Sequence, residues 1–191
     1  MTGVGGPQQK SLRRRLLLSA GLLLGALWTA ALSAPFLAGL RPSRKTQAAG
    51  APVEVDVKSL REGELKVVVW RLKPVWVMRR SDEMVQKMQS EESGLSDPQS
   101  AASTQPSYCQ NATRSRKTDI FVAVGLCTHL GCSPRKDGDE GFFCACHGSR
   151  FDFAGRVFKG SPAPTNLVIP PYYYTADNAI VVGEDAGQKP A

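Results

Sequence analysis

The chain has 191 residues, 42% of them apolar and 21% charged, with a formal net charge of +7; that is room for one modest domain plus appendages. The surplus is not a basic surface: Lys10, Arg13, Arg14, Arg15, Arg41, Arg44 and Lys45 precede the first acid, Glu54, and the remaining 17 Lys and Arg equal the 17 Asp and Glu. A body without net charge excludes a basic nucleic-acid-binding domain, and no nucleic-acid partner is expected.

Between the two basic clusters, residues 16–40 carry no charge and are rich in Leu and Ala. A helix crosses a bilayer with about 20 apolar residues, so this run predicts one transmembrane helix despite Gly21, Gly25 and Pro35. A cleaved secretory leader has a shorter apolar stretch of about 7–15 residues. Cleavage at Ser33-Ala34-Pro35 would also leave proline after the cut, so an uncleaved anchor is the better reading. Ser11 and Arg13-Arg14-Arg15-Leu16-Leu17 resemble a twin-arginine export signal. The expectation is a single pass through a bacterial inner membrane, with residues 1–15 cytoplasmic and the remainder periplasmic. The basic residues divide only four against three across the span, so the twin arginines carry that orientation. Residues 46–52 (TQAAGAP) are small and uncharged, which makes 41–52 a linker.

A soluble head is expected over 53–191. Residues 53–57 alternate strictly and predict a half-buried strand. Residues 65–72 and 75–79 predict two more, with their turn at Lys73-Pro74. Residues 82–92 predict a helix capped by Ser81, with Met84, Val85 and Met88 on one face. The stretch 95–118 is polar and loop-rich, and its Cys109 is read as an unpaired, inert thiol. Residues 119–125 form a strand that runs into Cys127. Residues 151–158 predict a hairpin turning at Ala154-Gly155, and 160–164 a rigid proline turn. Residues 172–175 and 179–182 are closing strands around Asp177-Asn178, and the tail from Gly183 is loose. The sum is an all-β head, a small antiparallel barrel or sandwich, with a smaller subdomain over about 126–164.

That subdomain holds the chemistry. Cys127-Thr128-His129-Leu130-Gly131-Cys132 and Cys144-Ala145-Cys146-His147-Gly148-Ser149 contain four of the five cysteines and both histidines. A packed core has no use for such a cluster, whereas metal chemistry has. Cys127 with His129 and Cys144 with His147 make two thiolates and two imidazoles, a complete four-ligand set. Cys132 and Cys146, one per loop, are left over and could tie the loops together. The same two-plus-two set also fits zinc, and a purely disulfide-bonded loop pair stays open as well. In a Rieske 2Fe–2S centre two histidines replace two cysteines on one iron, which raises the potential because neutral imidazoles leave the cluster less negative.

The pattern C-T-H-L-G-C followed by C-x-C-H-G-S resembles the Rieske iron–sulfur proteins, in the branch with a second cysteine in each loop. Residues 69–76 (VWRLKPVW) and 166–172 (NLVIPPY) extend the resemblance to the Rieske subunit of quinol–cytochrome c reductase, the cytochrome bc complex. The resemblance implies one Rieske-type 2Fe–2S cluster, with Cys127 and Cys144 on one iron, His129 and His147 on the other, and a Cys132–Cys146 bridge. It also implies an uncleaved signal anchor, a hinge at 41–52 and a third wall beside the cluster at 160–164. Ser149 would donate its hydroxyl to a bridging sulfide. Two departures are visible: Ala145 stands where the family usually has proline, and Phe151 where many members have a tyrosine that bonds a ligand sulfur.

The function implied is that of a membrane-anchored catalytic subunit. It would take an electron from ubiquinol, with the proton going to His147 or His129, and pass the electron to a c-type cytochrome subunit. A cytochrome b subunit would be the other partner, Leu130 the apolar lid fitting its quinol pocket, and the complex dimeric in the lipid bilayer. The rivals are a Rieske oxygenase or ferredoxin, which normally lacks the bridging cysteines and the anchor, and the Rieske subunit of another exported oxidoreductase such as arsenite oxidase. A zinc-stapled structural module is the alternative of a different class.

Overall fold

The computed structural model describes residues 7–41, 43, 46, 50–175 and 179–185, with side chains from residue 11 onward. The chain divides into two compact units, Met1–Gln47 and Ala48–Ala191.

The first unit is helix α1, Pro7–Gly39, 33 residues long. At 1.5 Å per residue it spans about 50 Å, enough to cross a bilayer. Within its stretch Ser11–Gly39 an 18-residue window reaches a mean hydropathy of 1.9, with none of that window buried. Leucines are exposed all along it, and a helix apolar on every side calls for an apolar solvent. The hydroxyls inside it do not break that rule. Ser19 donates to Leu16 O (3.0 Å), Thr29 to Gly25 O (2.7 Å) and Ser33 to Thr29 O (2.7 Å), so these three hydroxyls need no water.

The second unit is the head. Its elements are β1 (Val53–Asp56), β2 (Leu65–Trp70), β3 (Lys73–Arg79), α2 (Asp82–Ser90), β4 (Ile120–Val124), β5 (Arg135–Lys136), β6 (Phe142–Cys144), β7 (Ser149–Phe151), β8 (Tyr172–Tyr174) and β9 (Ala179–Val182). They form three antiparallel sheets, ordered β1-β9-β8, β2-β3-β4 and β5-β6-β7. The first and last strands of the head pair, Val53 opposite Val182, so the fold closes on itself. One apolar core draws on all three sheets, through Val55 and Ile180, Val77 and Phe121, and Phe142 and Phe151. The expected all-β head with one N-terminal helix is what the structure contains.

Strand β4 explains its own composition. All five of its residues are buried, so it reads as a continuous apolar run rather than an alternation. Its free edge is covered where Val124 N donates to Val168 O at 2.8 Å, which removes an exposed strand edge. Helix α2 starts at the expected cap, Ser81, whose hydroxyl accepts from Met84 N, with Met84 and Met88 buried and Val85 half-buried.

The turn between β2 and β3 is not at Lys73-Pro74, as the sequence suggested, but at Arg71-Leu72. Both residues have positive φ, 49° and 61°, the backbone of a two-residue hairpin turn matched to sheet twist. Lys73 and Pro74 therefore belong to β3. Pro74 is tolerated there because its carbonyl accepts from Gly125 N at 2.8 Å, so its missing donor faces the end of the β3–β4 ladder. The hairpin expected over 151–158 is reduced to a single bridge, Phe151 to Val157, around a turn in which Gly155 has φ 68°. Asp177-Asn178 and the tail beyond Asp185 lie outside the described residues.

The polar stretch 95–118 is a loop, as expected, but not a solvated one. Arg114 is fully buried, as are Arg80 and Arg156. All three wrap the 152–155 turn. Arg80 donates to Phe153 O (3.4 Å), Arg114 to Ala154 O and Gly155 O (3.3 Å each), and Arg156 pairs with Asp152 at 2.7 Å. Buried guanidinium groups persist when carbonyls and carboxylates meet them in this way.

Candidate metal centre

Two loops leave the head side by side. The first continues β4. Cys127 N donates to Cys132 O (2.7 Å) and Gly131 N to Cys127 O (2.9 Å). The second joins β6 to β7, whose ends pair Cys144 with Ser149, and Gly148 N donates to Cys144 O at 2.9 Å. In both, a glycine four residues after a buried cysteine closes the turn onto that cysteine's carbonyl, at φ 78° and 82°. Those angles favour glycine over any residue with a Cβ.

Each loop thus sets a buried thiol at its base and a histidine further out. Cys127 and Cys144 are buried and free. His129 is half-buried and His147 exposed, with ring centroids 4.7 Å apart and planes at 85°. Cys132 and Cys146 form a disulfide across the loops. The sulfurs of Cys132, Cys144 and Cys146 all lie within 4.8 Å of one another, but two of the three are spent in that disulfide and offer no thiolate. Cys127 and Cys144 are the pair left for a metal.

Two observations fit a bound cation. The Nδ1 atom of His129 is buried without a hydrogen-bond partner, and an unpaired buried nitrogen costs about 1–3 kcal/mol. Burial raises the Cys144 thiol above its ordinary pKa and the neighbouring Cys127 thiol adds to this, while the amides of Cys146 and His147 pull it down. A desolvated thiol pair of this kind is deprotonated by coordination. Two buried sulfurs and two imidazoles suit a 2Fe–2S centre of the mixed type, with the backbone amides as donors toward sulfur.

A third segment borders the loops. Thr128 Oγ1 donates to Thr165 O (2.6 Å), Ala163 N donates to the buried Ser149 Oγ (3.1 Å), and Arg150 N to Ser161 Oγ (3.1 Å). The segment is anchored behind by Asn166, fully buried, whose side chain accepts from Val157 N (2.8 Å) and donates to Asp97 O (2.9 Å). Neither Thr128 nor Asn166 stood out in the sequence as a tie, because their partners lie 37 and 69 residues away. Leu130 is 70% exposed at the outer end. Phe151 is wholly buried. Cys109 is also wholly buried, its thiol pushed up by burial and its sulfur 3.8 Å from the Tyr172 hydroxyl.

Comparison with known proteins places this geometry. Residues 102–172 match the model of the Rieske [2Fe-2S] domain. The chain is 49% identical over 187 residues to the ubiquinol-cytochrome c reductase iron-sulfur subunit of Allochromatium vinosum, covering 92% of this chain and 90% of that one. It is 39% identical over 185 residues to the subunit of the same name from Rhodospirillum rubrum, covering 93% and 94%. Among solved structures it is similar to a chain of a hyperthermophilic respiratory complex III, with a TM-score of 0.52 and 26% identity, covering 86% of this chain and 98% of that one.

Proposed function

The chain belongs to the family of ubiquinol–cytochrome c reductase iron–sulfur subunits, and from that premise we propose that it takes electrons from ubiquinol and hands them to the c-type cytochrome subunit of its complex. Its role is electron transfer in respiratory complex III, it carries one Rieske-type 2Fe–2S cluster, and its partners are the cytochrome subunits. When bound, the cluster supplies a one-electron acceptor and donor. Cys127 and Cys144 would hold one iron, and His129 and His147 the other. The Cys132–Cys146 disulfide keeps the two loops in register. His147, the more exposed imidazole, would accept a hydrogen bond from the quinol hydroxyl and then its proton. His129 is the second such imidazole. Leu130 fills an apolar pocket on the cytochrome b subunit.

The single helix α1 anchors the subunit in the bilayer. The proposal further places residues 1–15, with the twin-arginine signal, in the cytoplasm of a bacterium. Residues 16–40 cross the inner membrane, 41–52 form the hinge, and the head over 53–191 works in the periplasm of a dimeric complex. The observation that carries the reading is the pair of imidazoles at the outer end of two loops whose bases hold two buried thiols. Membranes lacking this chain should lose quinol-driven reduction of the c-type cytochrome and recover it with the full-length protein. Reduction that persists without the chain removes the proposal.

A further inference from the structure

One face of the β2-β3-β4 sheet is only partly covered. Trp76 of β3 stacks on Phe142 of β6 with centroids 4.8 Å apart, so the cluster subdomain lies on that face. The residues opposite Trp76 and Pro74 on edge strand β2 are Val67 and Val69, and paired residues point to the same face. The cover stops short of them: Val67 is 52% exposed and Val69 64%, and the apolar strip continues at the hairpin tip, where Leu72 is 79% exposed.

The hairpin turn requires a positive φ at residue 72, but nothing inside the head requires leucine there. Leu72 gains nothing from burial, and its φ of 61° lies where glycine is at ease and leucine is not. Backbone strain kept at an exposed apolar residue, beside other exposed apolar residues, indicates a contact made outside the chain.

The place of the strip says where that contact is made. Gly125 N bonds Pro74 O, and Cys127 and Leu72 each lie two residues beyond that bond. Their Cα atoms are therefore within about 20 Å of each other. The strip sits at the end of the sheet from which the first loop departs, so a partner that receives the loops has this strip beside it.

The chemistry narrows the partner. Leu72 stands between exposed Arg71 and Lys73, Lys66 is exposed nearby, and no acid occurs from residue 65 to 73. A lipid surface shares the taste for cations, but interfacial anchors present aromatic rings. Here Trp70 is turned inward at 8% exposure. We propose that the β2–β3 hairpin is a second docking contact of the head: Leu72, with Val67 and Val69, enters an apolar depression rimmed by carboxylates on a cytochrome subunit, next to the seat of the loops. This inference rests on the function proposed above.

The test uses the full chain in native membranes, with a benzophenone-bearing residue in place of Leu72 and, separately, of Leu130. Irradiation should join both positions to a haem-bearing subunit of the complex. An adduct at 130 but not at 72, or lipid alone at 72, overturns the second contact and leaves the proposed function standing. No adduct at either position overturns both. Leu72→Gly gives the second readout. Docking predicts a melting temperature unchanged or raised, an unchanged midpoint potential, and quinol–cytochrome c reductase turnover lower by roughly tenfold at limiting head concentration, as for loss of an interface anchor. Normal turnover, or a lowered melting temperature accompanying the loss, means that Leu72 serves only the head's own fold.

Discussion

The β2-β3-β4 sheet and the two loops beyond it keep their shapes by different means. In the sheet, β4 and most of β3 are buried, and shape follows from many apolar contacts, no one of which is indispensable to position. The loops have little such burial: Ala145, Cys146, His147 and Gly148 are all exposed. They are positioned by one disulfide, two glycines at positive φ and a few side-chain bonds to the 160–166 segment. A region built by burial should fail all at once, whereas one built by single ties should lose its geometry while its support stands.

The largest expected effect is in the sheet. Phe121 is wholly buried, 6.0 Å from Phe142, with the Arg80 guanidinium 5.5 Å over its ring. Phe121→Ala should cost about 3–5 kcal/mol and lower the melting temperature by about 10–15 °C. Far-UV circular dichroism and cluster absorbance should then be lost together. Loss of the cluster signal alone would show that the sheet does not depend on Phe121 for its fold.

Cys132→Ala comes next. The bridge closes a segment of 14 residues, worth about 3 kcal/mol in the chain-entropy model, and its loss should fall on the loops. Cluster absorbance should bleach in hours while the far-UV melt stays near that of the parent protein. A single transition for both signals would mean that loops and sheet unfold as one unit.

Smaller effects separate position from stability. Ser149 Oγ already accepts from Ala163 N, so its own proton is free to be given to a cluster sulfur. A hydrogen bond worth on the order of 1 kcal/mol corresponds to roughly 40 mV for one electron. Ser149→Ala should lower the midpoint by about that much with little change in melting. Phe151→Tyr should raise it by a similar amount, and an unchanged midpoint with an intact cluster would show that residue 151 does not reach the cluster.

The smallest effect concerns the support of the third segment. Burial alone would raise the Asp97 carboxyl, but the Ser103 hydroxyl and the amides of Ala101 and Ala102 outweigh it and hold the group below its ordinary value. A carboxyl depressed in the folded state contributes stability above its unfolded value, near 4, and loses it as pH falls through the folded value. Asp97→Asn should therefore lower the urea midpoint slightly at neutral pH and flatten the acid limb below about pH 4, so that the two profiles converge at low pH. An acid limb that keeps its slope would show that Asp97 does not set it.

What the sequence determined is what is local in it. The ligand types and their C-x-H and C-x-x-H spacings, the apolar run of the anchor, the alternation of β1 and the cap of α2 all act over a few residues. Each could be read without knowing what else lay near. What it left to the tertiary structure depends on residues far apart in the chain. Cys132 and Cys146 were left over by count, but their approach depends on where β4 and the β6–β7 pair end in space. The tie from Thr128 to Thr165 and the capping of the 152–155 turn by Arg80, 73 residues from Phe153, had no local sign at all. The turn at Arg71-Leu72 was missed because Pro74, two positions on, is a strong local turn signal. Register with β4, set by the bond from Gly125 to Pro74, draws that proline into the strand instead. Desolvation and pairing belong to the packed chain, so the sequence could name candidate ligands, and only the fold could bring them together.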